Sequence, residues 1–326
     1  MKWNGTGLVI FLCLVLTFGT FSTTKADTVL FPVIAVNQPY VTTIVSVVNR
    51  GGGTSKSTHL RYIYSYKDTF IGGLPNYSGG CAVSSFVMPT WVPDIVSFDA
   101  SGAYNGGWAL FNDPDDYGGS FAIGTAGARR AYLLVTNSDA VGNRVNVGYG
   151  WSLGGEAIVM DIFAGAAWGY KAVNDDTGED FSFFPTGVIN VMETGESSRF
   201  GFFPPSEWTT KFFVTPIGGN MDMLDLNSTI RIAGYNGSAA GSITGRGFTT
   251  YNFNVSQFVN CTAGVDLSDL MDSTAWAGIY YTGGWGWVYN ESGSPAIVYK
   301  LEYVVNNPTY GGTNNNAYLL STADGP

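Results

Sequence analysis

Leu60-Arg61-Tyr62-Ile63-Tyr64-Ser65-Tyr66-Lys67 is the stretch from which the fold is read. Leu60, Tyr62, Tyr64 and Tyr66 fall on one side of a period-two pattern, and Arg61, Ser65 and Lys67 on the other. Successive side chains of a pleated chain point to opposite faces, so this period predicts a strand with one buried face. The same pattern recurs further along. Tyr251, Phe253 and Val255 oppose Thr250, Asn252 and Asn254, and Ile297, Tyr299, Leu301 and Tyr303 oppose Val298, Lys300 and Glu302. Two other runs, Tyr132-Leu133-Leu134-Val135 and Ala157-Ile158-Val159-Met160, are apolar throughout and predict central strands covered on both sides.

Turns punctuate these runs densely, with 44 Gly and 13 Pro in 326 residues. Helical periodicity is scarce; only Val265 to Met271 offers one or two turns. Many short strands with Gly-rich turns predict an all-β fold, and the length suits two tandem β-sandwich, immunoglobulin-like domains. A faint repeat sets their boundary. Phe31-Pro32 precedes Tyr40-Val41-Thr42-Thr43-Ile44-Val45, and Phe203-Pro204 precedes Trp208-Thr209-Thr210-Lys211-Phe212-Phe213. Each domain would open with an edge-entry proline, with residues 27–195 forming the first and 196–326 the second.

Residues 1–26 have the three parts of a signal peptide: Lys2, an apolar run from Leu8 to Phe18, and Thr24-Lys25-Ala26 at the cleavage site. The run is shorter than the roughly 20 residues that span a bilayer, and no later segment is long and apolar enough to cross as a helix. Cleavage removes Lys2 and Lys25, which lowers 15 basic residues to 13 against 25 acidic ones, a net charge of −12. Such a balance repels nucleic acid and anionic lipid. The chain is therefore expected outside the cytoplasm, extracellular or at the cell surface, with the periplasm as the alternative. Cys13 leaves with the peptide. Cys81 and Cys261 remain, 180 positions apart, as a candidate disulfide worth roughly 4–5 kcal/mol by chain entropy.

Val29-Leu30-Phe31-Pro32, Thr42-Thr43-Ile44-Val45-Ser46-Val47-Val48-Asn49, Gly155-Glu156-Ala157-Ile158-Val159-Met160 and Trp168-Gly169-Tyr170 together resemble poorly characterised secreted β-sandwich surface proteins of Gram-negative bacteria. The resemblance covers mainly residues 29–175. It implies an envelope or extracellular location and carries over no catalytic residue.

The chemistry-bearing strings are few. Gly150-Trp151-Ser152-Leu153-Gly154 matches a nucleophile elbow, but the one histidine, His59, precedes Ser152 and a strand-like segment follows it. His59 and Cys81 lack a recognisable third partner for thiol catalysis. One His and two distant Cys give no zinc spacing. Asp113, Asp115 and Asp116 form one acidic loop, and Asp175 and Asp176 lie in another; both are calcium candidates of incomplete pattern, with solvated turns as the favoured reading. Trp285 and Trp287 stand two apart and share a face of any strand. The favoured reading places them in the inner face of a sandwich; the alternative opens them to stack on sugar rings.

The sequence thus reads as a secreted, non-enzymatic structural or adhesive protein of the cell surface or matrix, partnered by other envelope or extracellular proteins or polymers. No cofactor is expected beyond the calcium candidates. Two alternatives stand beside it: a carbohydrate-binding protein or glycan-active enzyme using the Trp285 region, and an outer-membrane β-barrel.

Overall fold

The computed structural model describes residues 28–51, 58–102, 122–123, 127–145, 147, 152–161, 166–175, 191–218, 221, 226–234, 241–304 and 315–319. The signal-peptide segment, Trp151 and the residues Asp113, Asp115, Asp116 and Asp176 lie outside them.

The chain is all-β. Its first part runs β1 (Thr28–Val36), β2 (Val41–Asn49), β3 (His59–Asp68), β4 (Phe70–Ile71), β5 (Leu74–Pro75), β6 (Ala82–Pro89) and β7 (Asp94–Asp99). It continues through β8 (Arg129–Ser138), β9 (Leu153–Asp161), β10 (Ala166–Lys171) and β11 (Val173–Asp175). The second part runs β12 (Ser197–Phe202), β13 (Thr209–Pro216), β14 (Asn227–Ala233), β15 (Ser242–Gly245), β16 (Thr250–Asn252), β17 (Ser256–Asn260) and β18 (Ala263–Asp266). A 3-10 turn (Leu267–Leu270), helix α1 (Ser273–Ile279), β19 (Gly284–Gly293), β20 (Ala296–Tyr303) and β21 (Asn315–Leu319) complete it.

Among the described residues, β1 to β11 pair only with one another, and so do β12 to β21. In the N-terminal half, sheet I has the order β11-β1-β8-β3-β6 and sheet II the order β10-β9-β2-β7. They pack face to face, with Tyr62 of β3 meeting Phe98 of β7 edge-on at 5.7 Å between ring centroids. In the C-terminal half, sheet III is β18-β13-β20-β21, and sheet IV is β16-β15-β19-β14-β17 with β12 also on β19. Phe212 of β13 meets Phe200 of β12 at 5.0 Å across that second core. In each half the first strand and the second belong to opposite sheets.

Strand alternation explains how the halves join. On β13, Phe212 and Val214 enter the second core, while Phe213 between them faces the first. On β20, Ala296 and Val298 face the second core, and Ile297, Tyr299 and Leu301 the first. Sheet III is therefore covered on both sides, which accounts for the unbroken apolar run Phe212-Phe213-Val214. Across the seam Phe213 stacks against Trp168 at 5.3 Å, Tyr299 meets Tyr170 at 5.3 Å, and the Thr215 hydroxyl donates to the Pro32 carbonyl at 2.6 Å. Sheet I is covered twice as well. Leu60, Tyr62 and Tyr64 face sheet II, yet Ile63 and Ser65 on the opposite side are also fully buried.

Three expectations are refined. Tyr132 to Val135 is buried on both sides as read, but β9 is not: Ala157 and Val159 are buried while Ile158 is exposed on the open face of sheet II. Pro32 does not sit at an edge, because β1 lies between β11 and β8. It occupies a register break between Phe31 and Ile34, where a missing N–H disrupts no ladder. The residues from Val265 divide between β18 and the 3-10 turn. The α-helix follows at Ser273, started by Asp272, whose carboxylate accepts from the Ala275 amide at 2.8 Å.

Candidate functional site

Strand β19 places the two tryptophans. Gly286 and Val288 point between sheets III and IV, where Ile232, Ile243 and Phe200 crowd Gly286. Trp285 and Trp287 alternate with them and so lie on the outer face of sheet IV, sharing a face as the spacing requires but not the core face. The two then part company. Trp287 is 3% exposed, with Arg199 directly opposite on β12 and its guanidinium carbon 5.8 Å from the ring centroid. Trp285 is 39% exposed.

Glycine opens the surroundings of Trp285. Gly201 is its cross-strand neighbour on β12, and Thr244 its neighbour on β15. Gly284, one residue earlier, pairs with Phe202 on one side and Gly245 on the other. A Cβ at Gly284 would collide with the Thr244 carbonyl, whereas one at Gly201 would meet only the Gly284 carbonyl oxygen at 3.8 Å. Gly284 is thus needed for close approach of the strands, and Gly201 leaves the flank of the indole bare.

At this end of the half a cavity of about 460 Å³ opens. Trp285, Phe203 and Phe248 supply its aromatic rim. Phe203 stacks on Trp208 with centroids 4.6 Å apart. Phe248 is 88% exposed and held in a left-handed backbone conformation (φ 61°), with its amide bonded to the Gly245 carbonyl at 2.9 Å. A large apolar side chain is rarely displayed this way on a strained turn. Arg246 adds a cation to the rim, and its amide donates to the Gly283 carbonyl at 3.1 Å.

The floor is charged. Lys300 and Glu302 stand two apart on β20, on the side of Val298, and so face the interior of the half. They are 1% and 2% exposed and form an ion pair of 2.6 Å. The Thr210 hydroxyl, directly opposite Glu302 on β13, donates to the same carboxylate oxygen at 3.3 Å. Aromatic walls above a few fixed polar groups are the usual make-up of a ligand pocket.

The remaining sequence candidates are placed as follows. Ser152 is buried, and its hydroxyl accepts from Asn137 Nδ2 at 2.9 Å. His59 stands at the start of β3 with Nδ1 2.9 Å from the Thr58 hydroxyl. Neither is near Cys81, which approaches Cys261 with Cα atoms 5.5 Å apart, within the range of a disulfide. Asp175 ends β11 opposite Thr28. Among the described residues no group of three or more His, Cys, Asp or Glu side chains could hold a metal ion, and no helix is long and apolar enough to cross a membrane. Sequence reasoning put Lys300 and Glu302 on one strand face but missed their place in the same cavity as Trp285. Only their period-two spacing could have signalled it.

No family model, curated protein or solved structure matches the chain.

Proposed function

We propose that this is an exported, non-enzymatic adhesive protein of two immunoglobulin-like sandwich domains, joined near residues 193–198, that engages glycans through the aromatic end pocket of the second. The observation that carries this reading is Trp285, half-open beside Gly201 at the mouth of a cavity with a charged floor. A sugar presents a C–H face that suits an indole and hydroxyls that suit the exposed Arg246 on the rim, above the closed Lys300–Glu302 floor. Open sheets packed in pairs, rather than one sheet closed on itself, favour sandwiches over a barrel. The signal-peptide pattern and the acidic composition favour a place outside the cytoplasm. A binding role is preferred to glycoside cleavage because Glu302 is the one carboxylate among the described residues lining the pocket. Cleavage by the usual route needs two, about 5–10 Å apart.

A glycan array with the parent protein, Trp285→Ala and Trp287→Ala tests this. The parent should bind a defined glycan, and Trp285→Ala should abolish binding with little change in Tm. Trp287→Ala should instead cost roughly 3–5 kcal/mol of stability, as for a packed indole. Failure of the parent to bind any glycan, or binding that survives Trp285→Ala, would remove the basis of the reading.

A further inference from the structure

The seam between the halves holds a second cavity, remote in the sequence from Trp285. Its main chamber, about 240 Å³, is lined by Lys67, Tyr77, Arg130, Asp161, Lys211 and Tyr303 among others. A smaller chamber of about 80 Å³ shares Arg130, Asp161, Lys211 and Tyr303 and adds the rings of Trp168 and Phe213.

Two cations meet here in register. Arg130 on β8 is the direct cross-strand partner of Lys67 on β3. Like charges placed opposite each other on one sheet face destabilise it. Among the described residues neither stands within 4.0 Å of a carboxylate. The Lys67 ammonium donates to the carbonyls of Tyr77 (2.7 Å), Asn260 (2.7 Å) and Gly79 (3.2 Å), which use its hydrogens but bring no full negative charge. Arg130 makes one long bond, 3.4 Å, to the Arg129 carbonyl. Its neighbour Arg129, on the other face of β8, pairs with Asp68 at 3.6 Å, donates to the Ile123 carbonyl at 2.6 Å and covers Tyr66. Burial pulls Lys67 down to about 7 and lowers Arg130 as well. Lys67 is buried with carbonyls alone around its ammonium, and Arg130, half-buried, feels Asp161 and Asp266 across the cavity without an ion pair to either, an incomplete neutralisation for charges withdrawn from water.

We propose that the seam cavity binds a small organic acid, whose carboxylate docks on the Arg130 guanidinium beside Lys67. A guanidinium presents a planar fork that matches a carboxylate in two parallel hydrogen bonds. The Phe213 ring flanks it on one side, its centroid 5.8 Å from the guanidinium carbon. Of the two acids in the cavity, Asp266 is held by Lys211 at 3.2 Å. The site is rigidly built, because Cys81 and Cys261, Lys67 and Asn260, and the Tyr77 hydroxyl donating to Asp269 all clamp the same stretch of seam.

Calorimetry and thermal shift with glucuronate and with succinate test the site, with glucose as the neutral control and sodium chloride at matched ionic strength. At least one acid should bind saturably and raise Tm, while glucose and salt do not. Arg130→Gln should lose that binding, and Arg130→Lys, which keeps the charge but not the fork, should weaken it by at least about tenfold. Trp285→Ala should leave it unchanged, which separates this site from the end pocket. Equal affinity in parent and Arg130→Lys, an equal response to glucose, or no saturable response of the parent to either acid would overturn the proposal. The Lys variant and the parent titrations keep the test decisive if Arg130→Gln does not fold.

Discussion

Two pairs of charges withdrawn from solvent, one inside the second half and one at the seam between the halves, are handled in opposite ways. Lys300 and Glu302 lie on one strand of the second half, two residues apart, and neutralise each other at 2.6 Å. Lys67 and Arg130 lie opposite each other on neighbouring strands of the first half and carry the same sign. Both pairs arise from polar residues alternating with apolar ones on strands whose two faces are covered. The difference shows that burial alone does not decide what a charged residue does. A pair closed upon itself is a structural element that also furnishes a pocket floor. A pair of like sign, held by carbonyls and one ring face and, among the described residues, by no ion pair within 4.0 Å, is where we propose an added anion docks.

The largest effect should come from the crosslink that holds the second pair in place. Cys81→Ser with Cys261→Ser removes a closure of 180 residues close to Lys67 and should cost about 4–5 kcal/mol by the chain-entropy argument. Denaturant unfolding of the oxidised parent and the double variant measures it. Equal stabilities would mean that the packed seam, not the crosslink, holds the halves together.

Next comes the neutralised pair. Glu302→Gln leaves Lys300 without its carboxylate in a buried setting and should cost about 3–5 kcal/mol. Replacing both, Lys300→Met with Glu302→Leu, should recover most of that loss, because two apolar side chains need no counter-charge. A double variant as unstable as Glu302→Gln would show that the pair contributes beyond its own neutralisation, through Thr210 or the pocket floor.

The smallest effect is a slope against pH at the unneutralised pair. Lys67 has about 7 in the folded protein against an unfolded value of 10.5. Between those values the unfolded chain binds the extra proton, so stability should rise with pH through this window, by at most about 1.4 kcal/mol per pH unit. Below pH 7 both states are protonated and the penalty is fully present. Burial raises the tyrosines Tyr77, Tyr299 and Tyr303, so above about pH 10 unfolded tyrosines ionise first and stability should turn downward. Lys67→Met should flatten the rising limb and leave the falling one. A Lys67→Met profile parallel to the parent would mean that the three carbonyls keep Lys67 near its ordinary value.

Part of this was legible beforehand. The period-two runs at Leu60 and Ile297 predicted strands and sorted their residues between faces, but the expected single buried face was wrong for both, and the run at Thr250 breaks after Asn252. The spacing of Trp285 and Trp287 put them on one face. Helix α1 was missed because seven residues are too few to establish a helical period, and its start depends on one cap at Asp272.

The sequence by itself determined the all-β class and the side of each strand on which a residue falls, because alternation and turn chemistry act within a few residues. Only the tertiary structure decided which sides are covered. That depends on partners far along the chain: the second half buries the polar side of β3 that carries Lys67, and Arg199 lies over Trp287 while Gly201 leaves Trp285 open. Cys81 and Cys261 meet for the same reason, across 180 positions. Period two records direction, whereas burial and charge pairing depend on what the opposite sheet brings.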